Sequence, residues 1–136
     1  MKLEPRLAAL VVKDGVSLGL LGEADRSLVL ALAATAIEAG REHREAEVNR
    51  VLEAWLQGPG AMLRTDHVEL RRWLVDAGFV GRDGFGRAYL RGEAEAAHAT
   101  ALLGEASAGA LEDAVLTERA ARAAERAARR QAYATR

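Results

Sequence analysis

Cysteine is absent from this 136-residue chain, which excludes disulfides and thiol chemistry and fits a cytoplasmic protein. Aromatic residues are scarce, at 4% against 50% hydrophobic residues overall. With alanine and leucine dominant, that balance predicts more helix than strand. Lysine occurs only at positions 2 and 13, so arginine carries nearly all the positive charge. Abundant Ala, Gly and Leu point to a GC-rich genome, and every arginine cluster is discounted for that bias. An excess of one charge is also lacking: the net charge is -1. Nothing global therefore draws the chain to nucleic acid, and such binding needs a local patch. A long hydrophobic run is missing too. The longest, Leu7 to Leu21, is interrupted by Lys13-Asp14-Gly15. It cannot span a bilayer, and the residues ahead of it form no secretory signal.

What is present suits one domain with an appendage, large enough to bury a core without staples. Around residues 8–21, Asp14-Gly15 lies between the apolar runs Leu10-Val11-Val12 and Val16-Ser17-Leu18, which predicts a hairpin, with a frayed arm as the alternative. A helix is expected from about Glu23 to Ala39, stopped by Gly40, with Leu28, Ala31 and Leu32 on a wide apolar stripe. A second is expected from about Arg44 to Leu56, placing Val48, Val51, Leu52 and Trp55 on one face. Glu45 and Glu47 fall in its first turn, where the helix dipole favours negative charge. Gly58-Pro59-Gly60 breaks the chain.

The next helix opens at Asp66, with Glu69 three residues on as in a capping box. Leu70, Trp73, Leu74 and Ala77 form its expected buried face, and Gly78 ends it. Phe79 to Arg82 and Arg87 to Leu90 then pair across Asp83-Gly84-Phe85-Gly86. Beyond Gly92 the chain turns alanine-rich. Acidic residues fill 93–113, basic ones fill 119–136, and a break near Ser107-Ala108-Gly109 divides two helices.

A helix, an arginine-bearing helix and a two-stranded ribbon in that order suggest a winged helix-turn-helix. The expected fold class is mainly α with small β hairpins (α+β), a winged helix-turn-helix with additional C-terminal helices. Residues 1–92 would form the winged-helix-like domain with its N-terminal hairpin, and 93–136 the appendage. Arg71 and Arg72 lie off the Leu70-Trp73-Leu74 face, so both guanidinium groups should reach solvent, where arginine can read guanine or hold phosphate. The plainer alternative for Arg72 is an ion pair with Asp76, four residues on. Arg82 and Arg87 flank the hairpin tip and could grip the DNA backbone, or simply keep an exposed ribbon soluble. Tyr89 is expected to pack on Trp73. Asn49 could be a functional polar residue, but the commoner fate of a semi-buried Asn, and the expected one, is to bond a neighbouring loop backbone.

Other chemistries find little support. His43, His67 and His98 are scattered, and His43-Arg44-Glu45-Ala46-Glu47 lacks the spacing of a zinc helix. Glu45 and Glu47, two apart, point to different sides of a helix. No Ser-His-Asp set, P-loop or dinucleotide fingerprint is present, and Gly81, Gly84 and Gly86 belong to the hairpin. No enzyme activity, metal or cofactor is expected.

Several segments together resemble a particular bacterial family of unknown function, found alone or attached to helix-turn-helix transcriptional regulators. They are Glu45-Ala46-Glu47-Val48-Asn49, Asp66-His67, Leu70-Arg71-Arg72-Trp73-Leu74-Val75-Asp76, Gly78-Phe79, Arg82-Asp83 and Gly86-Arg87-Ala88-Tyr89. The resemblance spans about residues 10–91 and implies a winged-helix-like fold with a regulatory role. His43 and Arg44 depart from it, standing where an aromatic and then Thr or Ser are usual. That removes a side-chain cap worth about 1 kcal/mol. Glu69 also replaces a more usual Thr or Ser. The resulting expectation is a cytoplasmic DNA-binding regulator, contacting double-stranded DNA through His67, Arg71, Arg72, Arg82 and Arg87. It would pair as a homodimer through the C-terminal helices, whose alternative is to fold back on their own domain. The other functional reading is a protein-interaction or assembly module that kept the fold without DNA binding.

Overall fold

The computed structural model describes residues 1–85 and 87–135; Gly86 of the expected turn and Arg136 of the basic run lie outside them. The first departure from expectation is at the N-terminus, where there is no hairpin. Pro5–Val11 is a helix, α1, with Pro5 in its first turn and the Glu4 carboxylate accepting from the Leu7 N–H at 3.1 Å. Leu3, Leu7, Leu10 and Val11 recur every three or four residues, and all four are buried. That helical spacing outweighs the local Asp-Gly turn signal. Val16, beyond the turn, does not pair back on Leu10–Val12. It lies parallel to Leu63, donating its N–H to Met62 O at 2.9 Å and accepting from Arg64 N at 2.8 Å. A 3-10 turn at Leu18–Leu20 then buries Leu18.

The central helix, α2, runs Glu23–Ala34 and is shorter than expected. Thr35 caps it by donating its hydroxyl to Leu32 O at 2.6 Å. All seven residues from Leu28 to Ala34 are buried, because α1, α4 (His67–Asp76) and α5 (Glu93–Leu103) pack around it. A strand that the sequence reading missed follows, β1 at Glu42–Arg44. It pairs antiparallel with β3 (Ala88–Leu90), setting His43 opposite Tyr89, and β3 pairs in turn with β2 (Gly81–Arg82). The sheet order is β1-β3-β2, so the expected ribbon is present and gains a third strand.

Helix α3 (Glu45–Gln57) buries Val48, Leu52 and Trp55, with Val51 partly covered. The loop after it is fixed by a close approach. Gly60 donates to Trp55 O at 2.8 Å, and a Cβ added at Gly60 would lie 2.3 Å from the Trp55 ring. Gly60→Ala is therefore expected to cost about 1–3 kcal/mol, the usual scale for overpacking. Urea melts check it, and an unchanged midpoint would show that the ring moves aside freely.

Helix α4 is capped by Asp66, which accepts from the Glu69 N–H at 2.8 Å. Leu70 and Leu74 are buried as expected, but Trp73 is only half-buried. It sits at the edge of the apolar stripe, with the Arg26 guanidinium of α2 4.7 Å above its ring. Tyr89 is fully buried instead, and the cation over its ring belongs to Arg71, at 5.7 Å.

The C-terminal helices α5 and α6 (Ala108–Ala134) fold back on the chain. Ala99 of α5 and Leu111 and Val115 of α6 join the same core cluster as α1 and α2. His98 stacks on Phe79, ring centroids 4.1 Å apart. Described residues of α6 from Ala123 onward are all exposed. The architecture is thus mainly helical, α+β, and no described helix is long and apolar enough to cross a membrane.

Candidate nucleic-acid interface

Where α4 meets the sheet, Arg71, Arg72, Val75, Asp76, Arg82 and Tyr89 line a cleft of about 140 Å³. Three of the five expected contact residues therefore meet in one place, but in different states. Arg71 does not reach solvent freely. Its side chain is 14% exposed, donates to Asn49 Oδ1 and pairs with Glu45 Oε1 at 3.1 Å. Glu45 and Asn49 are four apart on α3, so their side chains share a face and grip one guanidinium. Asn49 thus bonds an arginine rather than a loop backbone. Spacing along α4 alone could not reveal this, because both of Arg71's partners lie on another helix.

Arg72 and Arg82 are exposed, and neither has an ion-pair partner among the described residues. The expected Arg72–Asp76 pair does not form, although both residues line the cleft. Arg87 is exposed at the hairpin tip, 5.9 Å from the Phe85 ring. The tip is tied by Asp83 Oδ1, which accepts from the backbone N–H groups of Phe85 at 3.2 Å and Arg87 at 2.8 Å. Phe85 is 86% exposed, a feature the sequence reading did not single out. His67 stands apart from the cleft, with Nδ1 3.2 Å from Glu53 Oε1 on α3.

Apart from Asp76, which lines the cleft, the carboxylates of α3 and α4 are turned toward internal partners. Glu69 accepts from the Thr65 hydroxyl at 2.9 Å and from the Trp73 indole at 3.4 Å, at the start of α4 where negative charge is favoured. Glu47 takes two bonds from Arg41, each at 3.2 Å. The bonded Arg41 guanidinium holds its carboxyl below the usual range, with help from the Arg44 backbone N–H and from His43. Glu47 thus reaches back to the backbone of the N-cap residue, Arg44, as the acid of a capping box does, and supports the α3 terminus that the Arg44 side chain does not cap. Its neighbour His43, only 4% exposed, bonds the Glu38 carbonyl through Nε2 at 2.9 Å. Arg44, Arg50 and Arg64 are exposed and, like Arg72 and Arg82, have no ion-pair partner among the described residues.

Fold and cleft together define a small α+β protein in which helix α4 and the β2–β3 ribbon share an arginine-lined junction. Residues 22–91, from the start of α2 through β3, match the family described as uncharacterized proteins conserved in bacteria, DUF2087, and the chain belongs to that family. No curated protein and no solved structure matches the chain.

Proposed function

We propose that this protein is a winged-helix DNA-binding regulator of transcription. The element order α2, β1, α3, α4, β2, β3 and the sheet order β1-β3-β2 support that reading, with α4 as the recognition helix and β2–β3 as the wing. The observation that carries it is the uneven use of charge described above. Glu45, Glu47, Glu53 and Glu69 bond to internal partners, and Asp76 alone of the α3 and α4 carboxylates faces the cleft without a bond among the described residues. Arg44, Arg50, Arg64, Arg72 and Arg82 stay available to phosphate or base edges. An overall charge of -1 is then compatible with a locally basic face. In this reading Arg72 enters the major groove, Arg82 and Arg87 hold phosphates on either side of the wing, and Arg71 orients α4 from behind. A cytoplasmic location and an association with helix-turn-helix regulators accompany the proposal.

Binding of the full chain to random duplex DNA, measured against salt, tests it. Arg72→Ala and Arg82→Ala are each expected to lower the salt slope by about one where the residue holds phosphate. If Arg72 reads a base, its loss instead relaxes preference at one position. Absence of binding by the wild type at low salt would transfer the protein to the second reading, an assembly module. That reading draws on Asp76, which places a carboxylate in the cleft beside Arg72 and Arg82. Homodimerisation through the C-terminal helices would rely on what α5 and α6 leave uncovered, such as Leu116 at 43% exposure, because Ala99, Leu111 and Val115 are already used in the chain's own core.

A further inference from the structure

We infer that the C-terminal half of α6 is a second nucleic-acid contact, a basic arm that lies along duplex phosphates beside the site taken by α4. The inference rests on the DNA-binding reading and extends it to residues outside the family match. Arg119, Arg122, Arg126 and Arg129 follow one another at spacings of three and four, so they form one stripe along the helix, with Arg130 beside it. The stripe begins on the domain itself. Arg119 donates to the carbonyls of Val11 at 2.8 Å and Lys13 at 2.9 Å, and to the Asp14 carboxylate at 2.8 Å. Those bonds hold Asp14's carboxyl below its usual range. Arg126 reaches the same carboxylate at 3.9 Å, and Arg122 pairs with Glu125 at 3.3 Å. Further out, Arg129 and Arg130 are exposed with no ion-pair partner among the described residues.

The position where the stripe leaves the domain bears on α4. Asp14 is two residues before Val16, and Val16 hydrogen-bonds on both sides of Leu63, to Met62 and Arg64. Asp66, the cap of α4, is two residues beyond Arg64. Arg119 and Arg126 thus anchor the stripe at Asp14, on a segment that itself bonds the chain leading into the N-terminus of α4, the end that recognition helices bring to base edges.

The occupant is chosen by chemistry. Beyond Ala123 the described arm offers alanine methyls and, as its one large apolar side chain, Tyr133 at 78% exposure. That is little apolar area for a protein partner, whereas guanidinium groups about 4.5–6 Å apart along a helix suit a dense line of phosphates. Cations near a helix C-terminus also favour the helix dipole, but that effect alone changes helicity and not DNA affinity.

The test is a full-length variant carrying Arg126→Gln, Arg129→Gln and Arg130→Gln, titrated onto random duplex DNA by fluorescence anisotropy over a salt series. The expected result is a salt slope smaller by about two to three and an affinity at least about tenfold weaker at low salt, from about 0.9 per phosphate lost. Helicity and thermal midpoint should stay at the wild-type value. A wild-type slope in this variant, alongside weakened binding by Arg72→Ala, overturns the arm and leaves the α4 reading standing. No DNA binding by the wild type overturns both. A dimer that becomes monomeric in sedimentation on making the triple substitution would assign the arm to a second copy of the chain, and overturns the inference.

Discussion

A chain cut after Gly92 is expected to lose cooperative unfolding, although it retains every residue of the family match. The cut removes α5, whose packing covers α2, and with it Ala99, His98 and their contacts. It also removes Leu111 and Val115, both essentially buried, and the Arg119 bonds that close the end of α1. Fully burying a Leu or Val side chain contributes about 1.5–3 kcal/mol. With the α2 and α1 surfaces newly exposed, the total loss comes to on the order of 5 kcal/mol or more, comparable with the whole stability of a small domain. Far-ultraviolet circular dichroism through a urea titration measures it. A truncated chain with a sharp transition at the full-length midpoint would mean that 93–136 is an accessory to an independently stable domain. The same argument makes the full chain the proper material for DNA titrations, since a truncated one would confuse lost binding with lost fold.

How much was legible before the structure depended on whether the stabilising partners were local. Helices α3 and α4 carry strong apolar periodicity and clear end signals at Gly58 and Asp66, and their bounds lie within a residue or two of expectation. The break between α5 and α6 also falls where Ser107 suggested, its hydroxyl accepting from Ala110 N at 3.1 Å. Strand β1 was not legible, because Glu42-His43-Arg44 has a strand's alternation but no apolar residue; its pairing comes entirely from β3. At the N-terminus a local Asp-Gly turn signal competed with helical spacing, and packing on α2 and α6 decided for the helix. The same division holds in the site. Exposure of Arg72 and Arg82 follows from position within their own elements. Capture of Arg71 requires knowing that α3 lies alongside α4, and the motif residues Glu45 and Asn49 gain their meaning only from that contact.

Arg71→Ala should consequently act first on stability. The guanidinium is 14% exposed and satisfies Asn49, pairs with Glu45 and covers the Tyr89 ring. Removing it leaves an amide oxygen and a carboxylate without their partner at the α3–α4 junction. Hydrogen bonds to charged groups contribute about 1.5–3 kcal/mol, and Glu45, at 48% exposure, regains water easily, so the loss should be about 2–3 kcal/mol. Arg71→Lys should recover only part of it, because a single ammonium cannot reproduce the planar fork that spans two acceptors. Asn49→Ala should cost less, and the double variant should fall short of the sum by about 1 kcal/mol or more, since residues in one network couple. Urea melts of the four proteins measure that coupling. Additive effects within error, with DNA affinity falling at unchanged stability in Arg71→Ala, would instead place Arg71 on the DNA. With coupling present, any DNA-binding defect of Arg71→Ala must be compared with Arg72→Ala at a temperature where both are fully folded. On the proposed function, Arg71 would then act by holding α4 at its angle to the β2–β3 ribbon, and the DNA contact would fall to Arg72 and Arg82.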